Sequence, residues 1–129
     1  MASTQKRLHI PVAGGFGSLP FSSGVLLDKT FYLCGHIGLD PATKKVPDSV
    51  EREIRLMMDS LRETLAKVEM NMQDLVSVQI FSPDVSLFAQ FNEIYRTYFT
   101  APLPARAFIG SGPLLFGARF EIQGIAVKD

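Results

Sequence analysis

The chain has 129 residues, a formal net charge of zero and a hydrophobic content of 47%. These values are typical of a single globular domain, here residues 1–129, and they exclude an intrinsically disordered chain. No basic run exceeds Lys44-Lys45, so a nucleic-acid-binding surface, which needs clustered Lys and Arg, is not expected. No apolar run approaches the roughly 18 residues that span a bilayer, and membrane contact is not expected either.

The cysteine and histidine content limits the chemistry further. Cys34 is the single cysteine, which excludes an internal disulfide and fits a reducing, cytoplasmic location. The two histidines, His9 and His36, have no cysteine or carboxylate at a spacing that would complete a metal site. We therefore predict no metal site.

The first third of the chain reads as strands and turns. Lys6–Ile10 is predicted as a short strand, and Phe21–Leu27 with Thr30–Gly35 as a hairpin that turns at Asp28-Lys29. Between them Ala13–Ser18 is rich in glycine. We interpret it as a plain loop, because the Lys-Ser/Thr pair that follows the glycines of a phosphate-binding loop is missing.

An amphipathic helix follows. Asp48 and Glu51 have the spacing of a capping box, which places the helix start near them. Apolar residues then recur at steps of three and four, which predicts one buried stripe: Val50, Ile54, Met57, Leu61, Leu65 and Val68. The opposite face is charged with mixed sign and is predicted to be solvated: Glu51, Arg52, Arg55, Asp59, Arg62 and Glu63.

A second strand and helix come next. Leu75–Phe81 is predicted as a strand with Val76, Val78 and Ile80 on one face. A second helix is predicted from about Pro83 to about Phe99. Its many aromatic residues are expected to lie mainly in the core.

The last quarter, Pro104–Asp129, is predicted as a hairpin of two strands around a turn rich in glycine and proline. Arg106 and Phe108 share one face of the first strand. Because Arg106 lies among apolar residues, with no acidic residue of the segment closer than Glu121, it is either paired or an anion site. On the second strand, Glu121 shares a face with Arg119 and Gln123.

The element order is therefore β-β-β-α-β-α-β-β, an α+β mixed sheet with two helices on one face. The other face lacks a third layer, so we expect oligomerisation to cover it. Four segments of this order resemble the Rid family, also called the YjgF family: Phe31–Gly38, Gln79–Phe81 with Asp84, Phe88–Phe99, and Pro104–Arg106 with Glu121. The resemblance implies a chorismate-mutase-like fold that assembles as a homotrimer with a ligand cleft at each subunit interface.

The resemblance also implies an activity. It predicts an enamine/imine deaminase that hydrolyses 2-iminobutanoate and 2-iminopropanoate, released by pyridoxal-phosphate enzymes, to 2-oxo acids and ammonia. The implied reaction needs no cofactor, because the imine is already an activated electrophile. In this role Arg106 binds the substrate carboxylate, which suits a planar and permanently charged guanidinium, and Glu121 orients the attacking water. The alternatives are a structural Arg106, and a solvent-facing Glu121 paired with Arg119 or Lys128.

The remaining predicted substrate-binding residues are Phe21, Cys34, Gly35, Phe91, Asn92 and Phe108, with Asn92 also open to a structural role. A nucleophilic Cys34–His36 pair is disfavoured, because strand spacing separates such side chains by about 7 Å. Several residues depart from the family pattern: Phe21 stands for a frequent tyrosine, Cys34 for a serine, His36 for a glutamine, Phe108 for a frequent cysteine and Gln123 for the second acid of the closing strand. If Phe108 fills the cleft, the alternative is a non-catalytic trimer that binds a small carboxylate, or a regulatory or chaperone-like protein.

Overall fold

The computed structural model describes residues 6–12 and 19–129, and its central feature is a six-stranded sheet with two helices on one face. The glycine-rich loop predicted at Ala13–Ser18 lies outside the described residues. The architecture confirms the predicted α+β class and element order. In chain order the elements are β1 (Arg7–Ile10), β2 (Gly24–Leu27), β3 (Thr30–Leu33), α1 (Val50–Ala66), β4 (Leu75–Ser82), α2 (Phe88–Tyr95), β5 (Ala105–Gly110) and β6 (Glu121–Val127).

The strand order corrects the predicted C-terminal hairpin. The sheet runs β1-β2-β3-β6-β4-β5, so β4 lies between the two strands that were expected to pair. β5 pairs with β4 in parallel, and β6 pairs antiparallel with both β3 and β4. The connection at 111–120 therefore carries the chain across β4 instead of doubling back, and β5 forms an edge of the sheet.

The first helix forms as its stripe predicted. All of the stripe is buried except Val50, which is half-buried against the core. The helix begins one residue later than the predicted Asp48 cap: Ser49 is the N-cap, and its side chain accepts a hydrogen bond from the Arg52 amide. Glu53, which the pattern assigned to neither face, is fully buried.

The strand after α1 has one irregularity that the sequence did not predict. Val78 and Ile80 face the core as expected, but Val76 is 48% exposed. The pairing of β4 with β6 shifts register between Leu75 and Ser77, and this bulge turns Val76 to the other face. Of the three residues predicted to share a face, only Val78 and Ile80 do so.

The second helix is shorter than predicted. Only Phe88–Tyr95 is α-helical, with three-residue 3₁₀ turns before it at Val85–Leu87 and after it at Arg96–Tyr98. Phe91, Ile94 and Tyr95 are buried against the sheet, whereas Phe88 at the helix start is 46% exposed. The aromatic residues thus lie mainly in the core, with Phe88 on its rim.

The face of the sheet that carries no helix is partly apolar. More than a third of the surface of each of these side chains is exposed: Tyr32, Val76, Ile125 and Val127. This is the face that the predicted trimer would cover, and the trimer stays a prediction. In the part of the chain that the structure describes, no helix is long and apolar enough to cross a membrane.

Candidate functional site

Arg106 lies among aromatic rings at the edge strand β5. Its Cζ is 4.8 Å from the ring centre of Tyr95, 5.6 Å from that of Phe88 and 5.9 Å from that of Phe108, all within cation–π range. No ion pair joins Arg106 to any described residue. Aromatic rings stack on the faces of a guanidinium, which leaves its N–H groups to bind a carboxylate. We call Arg106, Phe88, Tyr95 and Phe108 the arginine cluster.

The aromatic wall of this cluster continues into the core. Phe108 makes an edge-to-face contact with Phe88 at 5.2 Å and with Phe91 at 5.5 Å, and Phe91 contacts the buried Phe120 at 5.0 Å. Phe108 is half-buried, so part of its ring lines the surface beside Arg106. Phe91 is fully buried, which corrects its predicted contact with substrate. It supports Phe108 from behind instead.

Two residues on α2 have buried side-chain oxygen atoms: Tyr95 of the arginine cluster and Asn92. Tyr95 is 4% exposed, and burial raises the pKa of its hydroxyl to about 12. Its oxygen and the Oδ1 of Asn92, one helical turn earlier, are buried and have no hydrogen-bond partner within the described residues. Sequence analysis missed Tyr95 and Phe88 as site residues. The signal was present, because positions 88, 92 and 95 recur at helical spacing on the face that meets Arg106.

Glu121, at the start of β6, has its carboxylate against the backbone of Gly35. A Cβ atom on Gly35 would lie 2.8 Å from the Glu121 Cδ and closer still to its Oε2, so only glycine admits the carboxylate here. The side chain is half-buried, and desolvation raises the pKa of its carboxyl group. Neither Arg119 nor Lys128 forms an ion pair with it, so the predicted alternative pairing is wrong.

Cys34 and His36 flank Gly35 and are closer together than strand spacing predicts. The chain leaves β3 after Leu33, and the bend brings the Cys34 Sγ to 4.0 Å from the His36 Nδ1, which corrects the expected separation of about 7 Å. The two side chains still do not form an activated nucleophile. Burial and the nearby Glu121 raise the pKa of the Cys34 thiol, while burial lowers that of His36, and both shifts disfavour a thiolate–imidazolium pair.

His36 has a structural role at this position. Its Nδ1 lies 2.8 Å from the carbonyl oxygen of Cys34, and its Nε2 lies 2.8 Å from the Thr64 hydroxyl on α1. The Cys34 amide in turn donates to the carbonyl of Ser23, two residues after the exposed Phe21. Phe21 itself is 53% exposed. We call Cys34, Gly35 and Glu121 the glutamate cluster.

The arginine and glutamate clusters lie on opposite faces of one sheet. Arg106 pairs with Val78 and points to the helix-covered face, whereas Glu121 pairs with Phe81 and points to the other. The two residues are also separated by one intervening strand and by three positions along it, about 10 Å in each direction. One protomer therefore does not bring Arg106 and Glu121 together around one small molecule.

Among residues 6–12 and 19–129, no group of His, Cys, Asp and Glu is arranged to hold a metal ion. The two clusters offer other chemistry. The arginine cluster presents an apolar wall and an unpaired positive charge. The glutamate cluster presents a carboxylate whose raised pKa suits proton transfer near neutral pH better than that of an exposed glutamate.

Comparison with known proteins places this geometry in a family. The family model described as Endoribonuclease L-PSP matches residues 17–128. The chain is 37% identical over 110 residues to the mouse protein named 2-iminobutanoate/2-iminopropanoate deaminase, covering 84% of this chain and 82% of the relative.

Two solved structures have the same fold. The YjgF gene product of E. coli is 28% identical, with a TM-score of 0.82 over 92% of this chain and 94% of that one. The RidA protein of the Antarctic bacterium Psychrobacter is 25% identical, with a TM-score of 0.81 over 93% and 94%. The sequence comparison and the structure comparison therefore indicate the same family over nearly the whole described chain.

Proposed function

The chain belongs to the Rid family, the YjgF family predicted from its sequence, and from this membership we propose that it is an enzyme that hydrolyses small 2-imino acids. The substrates are 2-iminobutanoate and 2-iminopropanoate, and the products are the 2-oxo acids and ammonia. The observation that carries the proposal is Arg106: a half-buried arginine, enclosed by three aromatic rings, without an acidic partner among the described residues.

In the proposed mechanism, Arg106 binds the carboxylate of the substrate. A guanidinium makes two parallel hydrogen bonds to a carboxylate, which fixes the orientation of the attached imine carbon. Phe108 and Phe88 form an apolar wall beside it that fits a methyl or ethyl side chain. Rings that exclude water also strengthen the electrostatic attraction between the guanidinium and the substrate.

Glu121 accepts a proton from the attacking water. The water oxygen forms a bond to the imine carbon, the electron pair of the C=N bond moves to nitrogen, and the nitrogen takes the proton from Glu121, which gives a neutral carbinolamine. Glu121 then accepts the hydroxyl proton of the carbinolamine and passes it to the nitrogen as the C–N bond breaks, which releases ammonia and leaves the carbonyl of the 2-oxo acid. The raised pKa of Glu121 supports this exchange, because its two protonation states are then closer in free energy at neutral pH.

The two clusters act together if they come from neighbouring copies of the chain. They lie on opposite faces of one sheet, so a site that uses both needs Arg106 from one subunit and Glu121 from the next. The partly apolar open face supports such packing. We propose the homotrimer predicted from the family resemblance as this assembly. The cytoplasmic location predicted from the single Cys34 stays a prediction.

The alternative from another class is a trimer of the same fold that binds a small carboxylate, or acts as a regulatory or chaperone-like protein, without catalysis. It would retain Arg106 but not need Glu121. The description of the family model suggests a third activity, RNA cleavage. Against it stand the zero net charge and the two histidines, of which His36 is buried with both ring nitrogens engaged and His9 lies on β1 at the far side of the sheet.

The test is imine hydrolysis by the purified protein. An amino-acid oxidase generates 2-iminobutanoate or 2-iminopropanoate, semicarbazide traps the free imine, and the protein competes with the trap. We expect the wild type to lower the trapped product and Arg106→Ala to lose about 100-fold or more in rate, the effect of removing one partner of a hydrogen-bonded charge pair.

The matched control is Arg7→Ala, since Arg7 is an exposed arginine on the other edge strand. It should hydrolyse imine at the wild-type rate. Wild-type protein that leaves semicarbazone formation unchanged for both imines would rule out this substrate class. Binding of pyruvate, detected as a rise in melting temperature that Arg106→Ala abolishes, would then favour the carboxylate-binding trimer.

A further inference from the structure

A buried ion pair lies next to the glutamate cluster, and the proposed mechanism does not use it. Glu53 on α1 is fully buried, and its Oε1 accepts a hydrogen bond of 2.6 Å from the Nε of Arg119, whose side chain is 30% exposed. Burying charges costs free energy that their attraction recovers only with good geometry, so such a pair is weak evidence for stability. Its presence calls for another explanation.

Arg119 is fixed by more than its charge. Its backbone amide donates to the Oε2 of Glu53 at 2.7 Å, so the carboxylate binds the main chain as well as the side chain. Its two terminal nitrogens donate to the carbonyls of Asp48 at 3.1 Å and Pro47 at 2.5 Å, just before α1. These contacts attach the segment that enters β6 to the first turn of α1. On that segment Arg119 lies two residues before Glu121.

Glu53 also contacts the other segment that forms the glutamate cluster. Gly38 lies so close to the backbone of Glu53 that a Cβ atom there would be 2.9 Å from its carbonyl carbon. Between Gly35 and Gly38, His36 pairs with Ile122 through two backbone hydrogen bonds of 2.8 and 2.9 Å. Glu53 therefore touches both the loop that carries Gly35 and the segment that leads to Glu121.

From this arrangement we infer that Glu53 and Arg119 are positioning residues, which hold the Glu121 carboxylate against Gly35 and so set its place in the reaction. The inference rests on the proposed function for its kinetic consequence only. Glu121 lies between two fixed points, Arg119 on one side and the His36–Ile122 pair on the other. Releasing Arg119 from Glu53 removes one of these two fixed points.

The first test compares variants of the Glu53–Arg119 pair. Glu53→Gln keeps the size of the side chain but removes the charge and turns one acceptor oxygen into a donor facing Arg119. Arg119→Lys keeps the charge but lacks the planar fork that reaches Pro47 and Asp48. Glu51→Gln is the matched control, since Glu51 is an exposed glutamate on the same helix that pairs with Arg55.

We expect kcat for imine hydrolysis to fall about 10- to 100-fold in Glu53→Gln, the cost of displacing a catalytic group by up to 1 Å. KM should stay within about twofold, because substrate binding depends on Arg106 on another strand. Arg119→Lys should show a smaller fall in kcat, and Glu51→Gln none. Arg119→Lys also answers the question if Glu53→Gln does not fold.

The second test needs no catalytic activity. The Glu121 carboxylate contributes to the raised pKa of the Cys34 thiol, which the pH dependence of alkylation by iodoacetamide measures. Glu121→Gln should lower this pKa in the wild-type background. In Glu53→Gln the pKa should already be lower, and adding Glu121→Gln should change it less, since the carboxylate has moved away.

The outcomes separate the inference from the proposed function. A lower melting temperature in Glu53→Gln with wild-type kcat and an unchanged Cys34 titration would make the pair purely structural and overturn the inference. If the wild type hydrolyses no imine, the proposed function fails, and the Cys34 titration alone decides whether the pair positions Glu121. A shift of that titration supports the inference, and its absence overturns it.

Discussion

Gly35→Ala is the most informative single change in the glutamate cluster. The substitution adds one methyl group at the point where the Glu121 carboxylate meets the backbone. The backbone of Gly35 lies outside the left-handed region that favours glycine, so alanine fits it without strain there. The effect of the methyl group is therefore local. It displaces the carboxylate that we propose as the acceptor of the proton from water.

The size of the displacement follows from the geometry. The added Cβ would lie 2.8 Å from the Glu121 Cδ, whereas ordinary contact begins at 3.4 Å, so Cδ must retreat by about 0.6 Å and the nearer Oε2 by more. A shift near 1 Å costs a catalytic group on the order of 100-fold in rate. Because the obstacle is the end of a flexible side chain, we expect only a small loss of stability.

Competition with semicarbazide, run at several concentrations of 2-iminopropanoate, measures kcat and KM for Gly35→Ala. The matched control is Gly112→Ala, since no atom lies within 4 Å of a Cβ added at Gly112. We expect kcat to fall about 100-fold at an unchanged KM in the first variant and to stay at the wild-type value in the second. Melting temperatures should show that both variants are folded.

Wild-type kcat in Gly35→Ala would refute the reasoning, since the carboxylate cannot occupy its present place beside the new methyl group. A partial recovery in the double variant Gly35→Ala with Glu121→Asp would support it. The shorter side chain withdraws from the contact while keeping a carboxylate. The single variant Glu121→Asp is the reference for that comparison.

Two further predictions concern Glu121 and Phe108. Since burial raises the pKa of Glu121 above 4.5, the acid limb of the wild-type kcat should lie above pH 4.5, whereas Glu121→Gln should be inactive at every pH. Ionising this carboxyl group also destabilises the fold as the pH rises through its raised pKa, so Glu121→Gln should melt higher than wild type at neutral pH but not in acid. Phe108→Ala should lower the free energy of unfolding by about 2 kcal/mol, less than for a fully buried phenylalanine. By widening the pocket, it should raise the rate on a leucine-derived imine relative to 2-iminopropanoate about tenfold, as measured with the two oxidase substrates.

Local sequence patterns predicted the helices and strands, but not which strands pair with one another. The stripe of α1 and the alternation in β5 and β6 depend on residues close in sequence, and both formed as expected, in β6 from Glu121 onwards. Arg119, predicted to share a strand face with Glu121, instead lies before β6 and pairs with Glu53 on α1. The pairing of β5 and β6 depends on which strand lies between them, and a short turn rich in glycine and proline fits a crossing as well as a hairpin. The bulge that exposes Val76 likewise arises from the pairing of β4 with β6 and leaves no mark in the strand's own sequence.

The site was predicted in the same uneven way. The family resemblance supplied Arg106, Glu121 and Gly35, and the structure adds a physical reason for the glycine, the approach of the carboxylate. The resemblance did not predict that Arg106 and Glu121 lie on opposite faces of the sheet, because the face of each residue follows from the register of strand pairing. Glu53 left a signal: it lies three residues after Val50 and four before Met57, on the apolar stripe, where an unpaired charge is not stable.

The central claim is that imine hydrolysis uses Arg106 of one subunit and Glu121 of the next. Arg106→Ala and Glu121→Gln should each be inactive alone, so co-expressing them and assaying the mixed protein by semicarbazide competition tests the claim directly. Random assembly joins an intact Arg106 to an intact Glu121 at about one interface in four, so we predict about a quarter of wild-type activity. Mixed protein no more active than either parent would contradict a site shared between subunits.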